Sequence, residues 1–140
     1  MTHTPAATSA EGAPVKGRVL IVEDSETARR QLQHLLAEDP ALSVETAANG
    51  SEALQLLSER PYNIVVTDLK MPRVSGLELL EEIQKRGLPV AVVVTTGVGG
   101  VEEAVRAIRL GAADFLHKPI LPEDLTEKVH QHAGPAVTGD

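Results

Sequence analysis

The chain has 140 residues and a formal net charge of −7, from 13 basic and 20 acidic residues. That length suits one domain with a single core, and an acidic chain without a cluster of Lys and Arg argues against nucleic-acid binding. The absence of Cys excludes disulfides and thiol chemistry, and the longest apolar run, residues 90–94, is too short to cross a bilayer. Since no secretory signal is visible either, we expect a soluble, cytoplasmic protein that does not contact membranes.

Five short strands, each followed by a helix, are predicted along the chain. Residues 1–17 are rich in Ala, Thr, Ser, Pro and Gly, and are expected to form a disordered leader. Apolar runs bounded by turn residues indicate the strands, at residues 18–22, 43–47, 64–68, 90–95 and 114–117. The alternation predicts an α/β fold with a parallel sheet covered on both faces, although it leaves the strand order open. This domain would span residues 18–132, and residues 133–140 would form a flexible tail.

Capping residues indicate where several helices begin and end. Asn49 precedes Glu52 by three residues, and Ser75 precedes Glu78 in the same way, which is the spacing of a capping box. Gly87 is placed to end the third helix. In the fourth helix, the face expected to be buried consists of Val101, Ala104, Val105 and Ile108.

Polar residues follow the predicted strands at the points where the strands end. In a parallel α/β sheet these carboxyl ends share one edge, where ligands bind. That edge would carry Glu23, Asp24, Asp68, Thr95, Thr96 and Lys118. Three neighbouring carboxylates repel one another unless a cation compensates, and such hard oxygen ligands suit Mg²⁺ together with a phosphoryl oxygen. Because Lys118 can pair with an anion and Thr96 can donate a hydrogen bond to it, the pattern indicates a site for a phosphoryl group on a carboxylate.

Taken singly, these residues have ordinary structural explanations. Glu23-Asp24 can cap the first helix, because Asp is a favoured N-cap residue. Lys118-Pro119 can be a simple strand terminus, and Phe115 can be plain core packing. Only their occurrence together favours a functional site.

A set of short motifs occurs in a fixed order along the chain. They are Glu23-Asp24, Asp68-Leu69-Lys70-Met71-Pro72 with Gly76, Thr96-Gly97, Gly111-Ala112-Ala113-Asp114-Phe115 and Lys118-Pro119. In this order, and at these strand ends, they resemble the receiver domain of two-component response regulators (CheY-like). The resemblance covers about residues 18–132 and implies a flavodoxin-like, doubly wound (βα)5 fold with strand order 2-1-3-4-5.

The resemblance also implies a role for each matched residue. Asp68 would be the nucleophile that accepts a phosphoryl group, and Lys118, before a cis peptide bond to Pro119, would pair with that group. The implied Mg²⁺ ligands are Glu23 (mostly through water), Asp24, Asp68 and the backbone carbonyl of Lys70. Lys70 and Val98 would flank the path of attacking water, which predicts slow self-hydrolysis.

An implied switch would report the phosphorylated state. The phosphoryl group would draw Thr96 inward, and Phe115 would rotate into the space left behind. The donor would be a sensor histidine kinase or a histidine phosphotransfer protein. A downstream protein would bind the face formed by the fourth helix, fifth strand and fifth helix, with Arg106, Arg109 and Phe115 as plausible elements.

Other functions stay open from the sequence. The chain is not expected to be an enzyme beyond Mg²⁺-dependent self-phosphorylation and self-dephosphorylation. One alternative is a receiver-like interaction scaffold that is never phosphorylated. Another is a Mg²⁺-dependent phosphatase with a nucleophilic Asp, although that class usually carries a second acid two residues later, where this chain has Lys70. The protein would be a stand-alone regulator or a receiver excised from a larger protein.

Overall fold

The structure of the protein, a computed structural model, describes residues 17–71, 74–97 and 99–138. The predicted leader therefore lies outside the described residues except for Gly17, which begins the first strand. Pro72 and Val98 also lie outside them.

Five strands form one parallel sheet. They are β1 Gly17–Val22, β2 Leu42–Ala47, β3 Ile64–Asp68, β4 Ala91–Thr96 and β5 Asp114–His117. Their order is β2-β1-β3-β4-β5, and every neighbouring pair is parallel. The predicted doubly wound α/β fold and its strand order are confirmed, with strand ends within one residue of those expected.

A helix follows each strand. The helices are α1 Glu26–Ala37, α2 Gly50–Glu59, α3 Gly76–Arg86, α4 Val101–Arg109 and α5 Pro122–Thr138. The capping box of Ser75 and Glu78 is present with both hydrogen bonds, and Gly87 ends α3 in the left-handed conformation, with φ of 66°. Helix α5 continues past Ala133, where the sequence predicted the tail to begin. None of the helices, over the residues described, is both long and apolar enough for a bilayer crossing.

Two apolar clusters, one on each face of the sheet, form the core. Leu20 and Val22 of β1 belong to the cluster that includes α2 and α3, whereas Val19 and Ile21 belong to the cluster that includes α1 and α5. This division follows from the two-residue period of a strand, which sends successive side chains to opposite faces. The sheet is therefore covered on both sides, and its carboxyl edge is left open to solvent.

The buried face predicted for α4 is wrong for three of its four residues. Val101, Val105 and Ile108 are 61%, 46% and 41% exposed, whereas Ala104 and Ala107 are buried. Helix α4 packs against β4 and β5 through these two Ala residues, because small side chains let a helix backbone approach a sheet closely. Periodicity identified an apolar stripe on the helix but did not show whether that stripe faces the sheet.

Asp114, the first residue of β5, ties this strand to α5. Its Oδ2 lies 2.7 Å from Lys128 Nζ and 3.3 Å from His132 Nε2, and its Oδ1 accepts the Phe115 N–H at 2.8 Å. Burial raises the pKa of the carboxyl group, but the bonds from Lys128, Phe115 and His132 outweigh burial, so the pKa lies below its ordinary value. The ionised carboxylate therefore adds stability above its unfolded-state pKa, and that stability is lost as the pH falls through the folded-state pKa.

We expect Asp114→Asn to lower the free energy of unfolding by about 1 kcal/mol at pH 7, because the hydrogen bonds from Lys128 and His132 lose their charged acceptor. The amide oxygen can still accept the Phe115 N–H. The difference from wild type should shrink as the pH falls below the unfolded-state pKa of about 4 and through the lower folded-state pKa, because the wild-type carboxyl group is progressively protonated over that range. Urea denaturation at pH 7 and pH 3 measures both values, with the exposed Glu81→Gln as a control for net charge. An equal loss at both pH values would contradict the charge-based explanation.

Candidate functional site at the carboxyl edge of the sheet

The predicted site residues converge because of the strand order. Strand β3 is central, between β1 and β4, so Asp68 at its end has neighbours on both sides. Glu23 and Asp24 follow β1, Thr96 ends β4, and Lys118 follows β5. The turn that carries the first acidic pair is held by Arg29 of α1, whose Nη1 donates to the Glu23 backbone carbonyl at 2.9 Å.

Three carboxylates form a compact acidic cluster. One oxygen each from Glu23, Asp24 and Asp68 lies within 4.8 Å of the others; Glu23 and Asp68 are buried, and Asp24 is exposed. Burial has the largest effect on Glu23 and raises its pKa. The hydrogen bond from the Ser25 N–H at 3.1 Å and the charge of Lys118 lower this pKa, whereas the charges of the other two carboxylates raise it further. The net result is a pKa above the ordinary value, with burial as the main cause.

Lys118 supplies positive charge inside the cluster. Its Nζ lies 2.8 Å from Asp68 Oδ2 and 3.8 Å from Glu23 Oε1. Burial lowers the pKa of Lys118, but the hydrogen bond to Asp68 and the charges of the carboxylates outweigh burial, so the pKa is raised and the ammonium stays protonated. The other oxygen of Asp68 accepts the Lys70 N–H at 3.1 Å. The Asp68 carboxylate is thus oriented from two sides. The Lys118–Pro119 peptide bond is cis, as expected.

The side-chain hydroxyl group of Thr96 has no hydrogen-bond partner among the described residues. This is unusual, because buried polar groups are nearly always paired. Thr96 also lines a cavity of about 140 Å³. It is lined by Asp68, Leu69, Lys70, Thr96, Gly97, Gly100, Glu103 and Lys118. The arrangement brings a carboxylate, an ammonium group and the Thr96 side chain to the wall of one small cavity.

Phe115, predicted to rotate in the switch, and Arg106 and Arg109, predicted for the output face, do not line this cavity. Phe115 is 42% exposed on β5, and Arg106 and Arg109 are exposed on α4. These positions agree with a surface role, but they do not show a movement. Val98, predicted to flank the path of water, lies outside the described residues.

Glu103 at the site was missed by the sequence analysis. It lines the cavity, and its Oε1 lies 3.9 Å from Lys70 Nζ. Glu103 lies in the first turn of α4, where an acidic residue is favourable because of the helix dipole alone. No sequence signal relates it to Lys70, because the two residues meet only through the packing of α4 beside β4.

The comparisons with known proteins agree with the geometry. Residues 19–130 match the family model of the response regulator receiver domain. The transcriptional regulatory protein FixJ of Azorhizobium caulinodans is 43% identical over 101 residues, which are 72% of this chain and 47% of FixJ. Protein-glutamate methylesterase/protein-glutamine glutaminase 2 of Koribacter versatilis is 40% identical over 111 residues, which are 78% of this chain and 31% of the relative. The chain therefore spans less than half the length of these two relatives.

A solved structure shows the same architecture. The crystal structure of a response regulator receiver domain protein from Clostridium thermocellum superposes with a TM-score of 0.79 at 31% identity, covering 85% of this chain and 95% of that one. The family model, the curated relatives and the strand order all agree with one another. This protein belongs to the response regulator receiver domain family of two-component signalling.

Proposed function

We propose that this receiver domain is a phosphorylation-activated switch that accepts a phosphoryl group on Asp68. The observation that carries the proposal is a cavity lined both by Asp68, whose carboxylate is bonded to Lys118 at 2.8 Å, and by Thr96, whose hydroxyl group has no partner among the described residues. The donor would be a sensor histidine kinase or a histidine phosphotransfer protein. The output would be a protein–protein contact, and the chain would not act as an enzyme on other substrates.

The residues of the acidic cluster fit Mg²⁺. Glu23, Asp24 and Asp68 offer hard oxygen ligands within 4.8 Å of one another, and Mg²⁺ is typically held by one or two carboxylates with the remaining positions filled by water and phosphoryl oxygen. The backbone carbonyl of Lys70 would be a further ligand. When bound, the ion would neutralise negative charge on the phosphoryl oxygens. The excess of carboxylates over ammonium groups at this edge supports a cation site.

Transfer would depend mainly on how the chain positions its groups. A carboxylate is a weak nucleophile toward phosphorus, so orientation and charge stabilisation must lower the barrier. One oxygen of Asp68 would bond to phosphorus while the bond from phosphorus to the donor breaks, and the leaving group would keep the electron pair. The Lys118 ammonium would then exchange the Asp68 oxygen for a phosphoryl oxygen. The product is an acyl phosphate, a known type of covalent intermediate.

The switch would connect Thr96 to the surface of β5. A phosphoryl group brings a charge of about −2, so it would attract the free hydroxyl group of Thr96. Strands β4 and β5 are paired next to each other, with Thr96 opposite His117 and Val94 opposite Phe115. Movement of Thr96 toward the cavity would leave room for Phe115, which is exposed in this structure. The exposed apolar residues of α4 support an output face made of α4, β5 and α5.

Incubation with acetyl phosphate and Mg²⁺ should add one phosphoryl group to the wild-type protein, because Asp68 is the oriented nucleophile. Intact-mass measurement should show this adduct, and Asp68→Asn should abolish it. Asp124→Asn, an exposed change of the same type on α5, should leave it unchanged. No adduct on wild type would favour the unphosphorylated scaffold, and turnover of phosphate esters would favour a phosphatase.

Removing a carboxylate should stabilise the metal-free protein, because clustered acids kept for function usually cost stability. We expect Asp24→Ala to raise the free energy of unfolding by about 0.5–2 kcal/mol in metal-free buffer while abolishing phosphorylation. Asp68→Ala should act in the same direction, although it also removes the hydrogen-bond partner of Lys118. Thermal unfolding in the presence of a chelator measures the effect.

The same measurement with added Mg²⁺ provides an internal comparison. Mg²⁺ should raise the melting temperature of wild type by binding the folded state, and it should raise that of Asp24→Ala much less. Glu81→Ala, an exposed acidic position on α3, controls for the change in net charge. A lower metal-free melting temperature for Asp24→Ala than for wild type would contradict the proposed repulsion.

A further inference from the structure

Lys70 and Glu103 form an ion pair beside the phosphorylation site that the proposed transfer does not use. Lys70 follows Asp68 by two residues, and Glu103 lies in the first turn of α4. Lys70 Nζ is 3.9 Å from Glu103 Oε1, and the side chains are 74% and 41% exposed. Both residues line the cavity next to Asp68. The pair therefore lies on the solvent side of the space that a phosphoryl group would enter.

The first turn of α4 is also in direct contact with Thr96. Gly100, the N-cap residue of α4, lies so close that a Cβ atom there would be 2.9 Å from Thr96 Cβ. Its N–H donates to the Gly97 carbonyl at 3.1 Å. Because α4 begins against the wall of the cavity, the position of Glu103 relative to Asp68 is set by backbone packing and not by the ion pair alone.

A phosphoryl group in this cavity would change the charges around Lys70. In the unphosphorylated protein, Glu103 is the anion paired with the Lys70 ammonium. A phosphoryl group on Asp68 brings a charge of about −2 into the same cavity, against −1 for Glu103. Lys70 would then have two anionic partners that compete for one ammonium group, and Glu103 would be repelled by the new anion.

We propose that Glu103 is a positioning residue that limits the lifetime of the aspartyl phosphate by competing for Lys70. Lys70 bound to the phosphoryl oxygens covers the approach of water, and Glu103 draws it away. In hydrolysis, the water oxygen bonds to phosphorus, the bond from phosphorus to Asp68 breaks, and the carboxylate is regenerated as phosphate and a proton leave. This inference rests on the proposed phosphorylation of Asp68 and names a residue that regulates it.

The chain offers a matched control for this proposal. Glu102 precedes Glu103 in the same first turn of α4, and it is not among the residues that line the cavity. Glu102→Gln and Glu103→Gln change the net charge and the helix-dipole interaction by similar amounts. Only Glu103→Gln removes the competitor for Lys70.

The experiment compares these two variants in the wild-type and Lys70→Gln backgrounds. Each protein is phosphorylated with acetyl phosphate and Mg²⁺, the donor is removed, and loss of the adduct is followed by intact mass. Glu103→Gln should lengthen the half-life by about 1.5- to 5-fold, the range expected for an exposed ion pair. Glu102→Gln should leave it unchanged. The effect of Glu103→Gln should disappear in Lys70→Gln and should shrink at high salt, because exposed charges are screened.

The outcomes separate this proposal from the proposed function. Unchanged decay in Glu103→Gln, equal lengthening in Glu102→Gln, or an effect that persists in Lys70→Gln would each overturn the role of Glu103 while leaving phosphorylation of Asp68 intact. A wild-type protein that forms no adduct would overturn both proposals. Coupling between Glu103 and Lys70 is the result that a merely structural role of Glu103 would not produce.

Discussion

The site depends on the contact between the Lys118 ammonium and the Asp68 carboxylate at 2.8 Å. Three carboxylates meet at this edge of the sheet, and burial already raises the pKa of one of them, Glu23. Without the ammonium group, the hydrogen bonds from the Ser25 and Lys70 N–H groups would remain, but the cluster would lose the positive charge that lies 2.8 Å from Asp68 and 3.8 Å from Glu23. The same contact orients the Asp68 carboxylate. Charge compensation and orientation therefore come from one interaction.

The sheet topology makes this contact possible. Lys118 follows Asp68 by 50 residues, and the two meet because β4 alone separates β3 from β5. Because the sheet is covered on both faces, the polar groups that follow the strands can meet at its carboxyl edge. Helix α4 begins at this edge, with Gly100 against Thr96 and Glu103 near Lys70. A change of charge at Asp68 would therefore act directly on the first turn of α4.

Helix α4 has one face that packs on the sheet and an apolar stripe that is exposed, and its sequence pattern does not distinguish the two. Ala104 and Ala107 let it pack closely on the sheet, while Val101, Val105 and Ile108 stay exposed. An exposed apolar stripe along one helix is typical of an interaction surface. Phe115 of β5, a strand that α4 packs against, is also exposed.

Much of this protein was determined by local sequence. The strands, the capping box at Ser75 and the acidic, Thr and Lys residues at strand ends all follow from short-range patterns, because propensity and capping act within a few residues. The roles of those residues came from the resemblance to receiver domains. The tertiary structure decided what depends on distant packing: which side of α4 faces the sheet, the absence of a partner for Thr96 Oγ1 among the described residues, and the meeting of Glu103 with Lys70. Periodicity describes one helix by itself, whereas these three features depend on how close other elements lie.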